Sequence, residues 1–151
     1  VRVGWDGVLV SDSSNVSLAG ITVRRAEWDG VEVRGSTALL IADTEVGWSA
    51  RGIRILGSEL VNLNGARLCS GGDALTVRGS NHVTMANVTV RGAFCGLYVA
   101  RSADVRAEGL RVLSAHTCIR LEDSRDVVVH HRGCSGDVIR RRCSGCEVKG
   151  V

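Results

Sequence analysis

Residues 60–99 read LVNLNGARLCSGGDALTVRGSNHVTMANVTVRGAFCGLYV. In the first half Val61, Leu63, Ala66, Leu68, Leu75 and Val77 are apolar. A step of 22 residues reproduces all six positions as Val83, Met85, Val88, Val90, Leu97 and Val99. The template runs on through Val105, Ala107, Leu110, Val112, Ile119 and Leu121. Upstream it fits Leu39, Ile41, Thr44, Val46, Ile53 and Ile55, and before them Val16, Leu18, Ile21, Val23, Val31 and Val33. Ser36, Ser58, Ser80, Ser102 and Ser124 hold one further phase, each 22 residues from the last. A repeat of this length marks a solenoid.

The unit says which kind. Its apolar residues come in pairs at i, i+2, the spacing of one strand face, and no window holds helical spacing. Each unit offers an inward pair, a one-residue bend, a second pair, a longer turn and a third pair. Strands this short bury a face only by stacking on copies of themselves, at about 4.8 Å per coil. The predicted fold is all-β: a parallel β-helix of about six to seven coils with a 22-residue repeat in 151 residues.

Composition agrees. Apolar residues make up 44 % of the chain but aromatics only 3 %, as a narrow tube requires. The net charge of +3 is small and the arginines are dispersed, which argues against a nucleic-acid partner. No apolar run approaches transmembrane length, so membrane insertion is not expected. Residues 1–151 read as one domain that begins and ends inside a coil: Val1 and Val3 match a second strand, and Cys146, Val148 and Val151 match first- and second-strand phases. Open solenoid ends call for a cover. The chain is therefore expected to be a segment of a longer one, with head-to-tail stacking of copies into a filament as the alternative.

On these columns the sequence resembles the right-handed parallel β-helix repeats of the pectin-lyase-like superfamily, over nearly its whole length. The right hand is implied by that resemblance. The superfamily includes lyases, hydrolases, epimerases and non-catalytic modules, so the resemblance implies a fold more sharply than an activity. Polygalacturonases of the superfamily carry NTD, GDD, GHG and RIK on successive coils. Here GGDALTV around Asp73 is similar to the GDD segment, but Ala74 stands at the second aspartate, AFCG stands where GHG would, and RIK is missing.

Two positions before the third strand one column reads Asp6, Asp29, Arg51, Asp73, Cys95, Thr117, Asp137; one step earlier it reads Trp5, Trp28, Ala50, Gly72, Phe94, His116, Gly136. Asp29 and Asp73, two coils and about 9.6 Å apart by ladder spacing, are the candidate catalytic carboxylates, at a separation that leaves room for an inverting glycosidase. The bland reading of the aspartates is turn chemistry, since Asp before Gly bonds its own backbone. Arg51 interrupts the acids, which weakens a calcium site. Trp5, Trp28 and Phe94 are candidate glycan contacts. Glu32 beside Arg54 reads as a solvated cross-strand ion pair.

Six cysteines need an account. Cys95 and Cys118 lie at adjacent phases of neighbouring coils and are paired here as a disulfide. Cys134 and Cys146 fall at inward phases, where a buried thiol suffices. His131, Cys134, Cys143 and Cys146 form the alternative, a zinc cluster. Asn15 and Asn87 open N-glycosylation triplets on outward positions. Together these features point to an extracellular or cell-surface protein. The leading expectation is a non-catalytic structural module of a larger protein that contacts polysaccharide and needs no cofactor. The alternatives are a polysaccharide-active hydrolase or lyase and a self-stacking filament subunit.

Overall fold

The computed structural model describes residues 5–151 and contains strands but no helix. The second-strand placement of Val1 and Val3 lies outside the described residues. One sheet collects the third strand of every coil: β1 (Val8–Ser11), β4 (Asp29–Arg34), β6 (Arg51–Leu56), β8 (Asp73–Arg78), β10 (Ala93–Ala100), β12 (Ala115–Glu122) and β14 (Asp137–Arg141), stacked in that order. The other holds β2 (Ser14–Ala19), β5 (Thr37–Ser49), β7 (Glu59–Ser70), β9 (Asn81–Val90), β11 (Ala103–Val112), β13 (Arg125–Cys134) and β15 (Glu147–Gly150), with β3 (Thr22–Arg25) also pairing β5. All pairings are parallel, and Val31, Ile53, Leu75, Leu97 and Ile119 lie in one register line. The result is a parallel solenoid of about six turns. The first and second inward pairs expected as separate strands run together in the middle coils as one bent strand of 10–13 residues. At the bend Asp43, Gly65, Asn87 and Gly109 take left-handed backbone, which turns the chain without breaking the ladder.

The serine column closes the opposite corner. The Ser13 N–H donates to Ser36 Oγ, and Ser36, Ser58, Ser80 and Ser102 each donate in turn to the next coil's serine Oγ, at 3.1–3.2 Å. Each of the five hydroxyls donates to the carbonyl two residues before it, at 2.7–3.0 Å. These serines are 0–5 % exposed, so the ladder satisfies donors that water cannot reach. A residue with positive φ precedes each of them: Gly35, Gly57, Gly79, Arg101 and Asp123.

Inside the tube a packing pair recurs 16 residues apart. A Cβ on Gly7 would meet Val23 Cγ1 at 2.6 Å, on Gly30 Val46 Cγ1 at 2.5 Å, and on Gly96 Val112 Cγ2 at 2.8 Å. In the next coil the same two places are Cys118 and Cys134, which form a disulfide with Cα atoms 5.7 Å apart. This corrects the expected Cys95–Cys118 pairing. Cys95 pairs in register with Thr117, one residue short of Cys118, and neighbouring residues of a strand project to opposite faces. Its thiol contacts the Leu97 carbonyl and stays free. Cys134 is likewise a bridged cysteine rather than a buried thiol. Cys143 and Cys146 form a second disulfide, so Cys146 is not a free core thiol either.

Candidate functional site

The outer face of the third-strand sheet gathers most of the chemistry. Asp29 opens β4 and is 0 % exposed, and Glu32, three residues on, is 2 % exposed. Both lie against arginines of the following coil, and Glu32 also against Arg34 of its own. Arg51 Nε sits 2.6 Å from Asp29 Oδ1 at an angle poor for a hydrogen bond, and Arg54 donates to Asp29 Oδ2 at 3.1 Å and to Glu32 Oε2 at 3.3 Å. Arg34 pairs with the other Glu32 oxygen. Burial and a hydrogen bond that the protonated carboxyl donates to Glu32 push Asp29 up to about 6, against the pull of Arg54 and Arg51. Burial would raise Glu32 as well, but its bonds to Asp29 and Arg34 hold it below the ordinary range. The two carboxyls lie together in a charge knot capped by guanidinium groups. Glu32 was expected on a solvated face. Instead, its neighbours' long side chains cover it.

Oxygens of Asp6, Asp29 and Glu32 lie within 4.8 Å of one another, a spacing a cation could use. Arg51, Arg54 and Arg34 already supply the positive charge there, so the donor set fits a guanidinium network better than a metal. Asp73, at the start of β8, is partly exposed. Burial raises its carboxyl above the usual range, while Arg120, Arg51 and Arg54 draw it down. Arg51 stands between Asp29 and Asp73 in their column, and the deep burial of Asp29 closes it to a substrate. The expected carboxylate pair is therefore not brought to one open surface. Further along the face Tyr98 donates to Glu122 Oε2 at 3.0 Å, Arg120 Nε donates to Glu122 Oε1 at 2.8 Å, and Arg120 lies over the Tyr98 ring.

The aromatic residues meet as the column predicts. Trp5 and Trp28 have ring centroids 5.7 Å apart, and Phe94 and His116 5.2 Å apart with planes 20° from parallel. Phe94 and His116 stack, whereas the Trp5 and Trp28 planes are tilted 32° to each other. Trp5, Trp28 and Phe94 are each more than half exposed. The sequence reading missed Trp48, half exposed beneath Arg25, although a tryptophan at a turn edge was the available signal. Asn15 and Asn87 are exposed. His131 does not join a thiolate cluster: Cys134, Cys143 and Cys146 are all in disulfides.

The family pattern described as a right-handed β-helix region matches residues 6–148. The chain belongs to this right-handed β-helix family. The hand implied by the resemblance is thereby shown, together with the repeat. No curated protein and no solved structure matches the chain. The two disulfides of this β-helix are consistent with an extracellular protein, and no helix among the described residues is long and apolar enough to cross a membrane.

Proposed function

We propose that this β-helix is a rigid, non-catalytic module of a larger extracellular or cell-surface protein, with its aromatic turn edge as a contact for polysaccharide. The observation that supports it most is the fate of the acids. Asp29 and Glu32, neighbouring carboxyls of the outer face, are buried under Arg34, Arg51 and Arg54 instead of facing a cleft. Charge pairs across coils stiffen a solenoid, because each coil is then tied to the next by side chains as well as by its ladder. Trp5, Trp28 and Phe94 at the turns, and Trp48 on β5, are large aromatic surfaces left open.

One observation favours a second reading, a polysaccharide hydrolase or lyase. Asp73 is partly accessible and its carboxyl is raised, which suits a general acid. Release of reducing or unsaturated ends from acidic polysaccharides, assayed with the protein and with Asp73→Asn, separates the two. No turnover is expected from either. Turnover abolished by Asp73→Asn would replace the module with the enzyme.

A further inference from the structure

The serine ladder does not stop at Ser124. Its next rung is Cys143. The Ser144 N–H donates to the Ser124 carbonyl at 3.0 Å, the bond that Arg125 makes to Ser102 and Ala103 to Ser80. Ser144 therefore holds the column after the serines, in register with Arg125, and Cys143 holds the serine column itself. Arg142 has φ 49°, matching the left-handed residue that precedes each serine rung. The serines show what the fold asks of this place. Each hydroxyl accepts the N–H of the preceding coil and donates to the carbonyl two residues back. Cys143 does neither job well, because its sulfur is bonded to Cys146 and sulfur is a weaker acceptor than a hydroxyl. The donor it faces is the N–H of Ser124, a residue only 5 % exposed.

Reduction supplies both groups. A thiol on Cys143 has the Arg141 carbonyl two residues before it and the Ser124 N–H beside it, the same two partners as every serine rung. Cys146 Sγ lies 3.6 Å from the Ser144 carbonyl oxygen and 3.8 Å from that of Ser124, so its thiol has acceptors in place too. Those oxygens also decide which sulfur a nucleophile attacks. A thiolate leaving on Cys146 would form beside two carbonyl oxygens, whereas one leaving on Cys143 receives the Ser124 N–H. Both cysteines are half-buried, and a bridge between residues three apart restrains little of the unfolded chain. Cys118–Cys134 is the contrast. Cys118 is 0 % exposed within the core, where a leaving thiolate would form in apolar surroundings.

We infer that Cys143–Cys146 is a thiol-exchange site, opened reversibly at Cys146 by a low-molecular-weight thiol while Cys118–Cys134 stays closed. The incoming thiolate attacks Cys146 Sγ. The S–S bond breaks and its electron pair leaves on Cys143 Sγ, which takes up a proton and fills the sixth rung. Cys146 then carries the small thiol as a mixed disulfide. A second thiolate attacks the small-molecule sulfur of that adduct and expels Cys146, which is protonated in turn. Two thiols are thus oxidised to one disulfide for each bridge reduced. The site shares no residue with the aromatic edge or with Asp73, and its failure would leave the module reading intact.

Equilibrating the intact protein with reduced and oxidised glutathione at graded ratios, followed by acid quench, alkylation and mass mapping, measures both bridges at once. Cys143–Cys146 is expected to be half reduced at a reductant ratio about tenfold or more below that for Cys118–Cys134. Glutathione is expected on Cys146 in the intermediate, with strand content unchanged. A second comparison probes the rung itself. Cys143→Ser with Cys146→Ser restores the hydroxyl, whereas Cys143→Ala with Cys146→Ser does not, so the Ser124 amide should exchange about fivefold more slowly in the first. Thiol exchange at this turn is excluded if the two bridges open at one ratio or in the reverse order. It is equally excluded if glutathione is held on Cys143 or if both variants exchange Ser124 alike.

Discussion

Gly30 shows how little freedom a single position has in this tube. A Cβ there would lie 2.5 Å from Val46 Cγ1 and 2.8 Å from the Gly52 carbonyl oxygen, and neither group can move without disturbing the next coil. Gly30→Ala is expected to cost roughly 1–3 kcal/mol, as overpacked cores do, read from the denaturant midpoint. An unchanged midpoint would mean that the coils breathe more than their ladder implies. Asp29, the residue before, makes a second prediction through its raised carboxyl. Between its unfolded value near 3.8 and its folded value of about 6 the native state binds more proton than the unfolded chain. Its contribution is thus complete below about pH 4 and is lost as pH rises toward 6. Glu32, lowered from 4.5, acts in the opposite sense and loses its contribution as pH falls. Asp29→Asn removes the first effect and keeps the shape, so stability plotted against pH should climb more steeply from 4 to 6 than in the parent. Urea unfolding at pH 4, 5 and 6 measures both slopes, and identical slopes would deny Asp29 its proton.

At the scale of the element, the spacing of 16 residues between facing positions makes the disulfide transferable. Gly96 and Val112 stand to each other as Cys118 and Cys134 do one coil later, and a Cβ on Gly96 would already touch the Val112 methyls. The double substitution Gly96→Cys with Val112→Cys should therefore form a new bridge on oxidation, at a cost in stability, because a Cβ on Gly96 also lies 2.6 Å from the Cys118 carbonyl oxygen. Mass mapping of the oxidised protein would find a 96–112 cross-link, and its absence with both thiols free would show that the two coils differ in shape. This pairing was legible in the sequence, since the repeat fixes which columns face inward. The expected Cys95–Cys118 link failed because the repeat was read for neighbouring coils, whereas the bridge lies within one coil, across the tube. The inward columns and the serine ladder were legible for the same reason: each depends on backbone phase, which a period of 22 records directly. Burial of Glu32 was not, because it depends on where Arg34 and Arg54 lay their long side chains, and no periodicity encodes that.

At the scale of the molecule, a solenoid has only nearest-neighbour contacts between coils, so a local change should stay local. The two disulfides lie in the last coils: Cys118–Cys134 spans 16 residues through the core and Cys143–Cys146 spans three. A bridge that closes a loop of about 15 residues is worth about 3 kcal/mol on the chain-entropy account, and the shorter loop contributes less. Reduction should therefore loosen β12 to β15 and leave β4 to β8 as protected as before, because the serine ladder and the Asp29–Glu32–Arg54 knot that hold those strands contain no sulfur. Hydrogen exchange followed by mass spectrometry, with and without reductant, resolves the two regions. A gradient of protection that falls only toward the C-terminal coils is the expected result. Uniform loss along the chain would mean that the coils open as one cooperative unit rather than one after another from the end that carries the bridges.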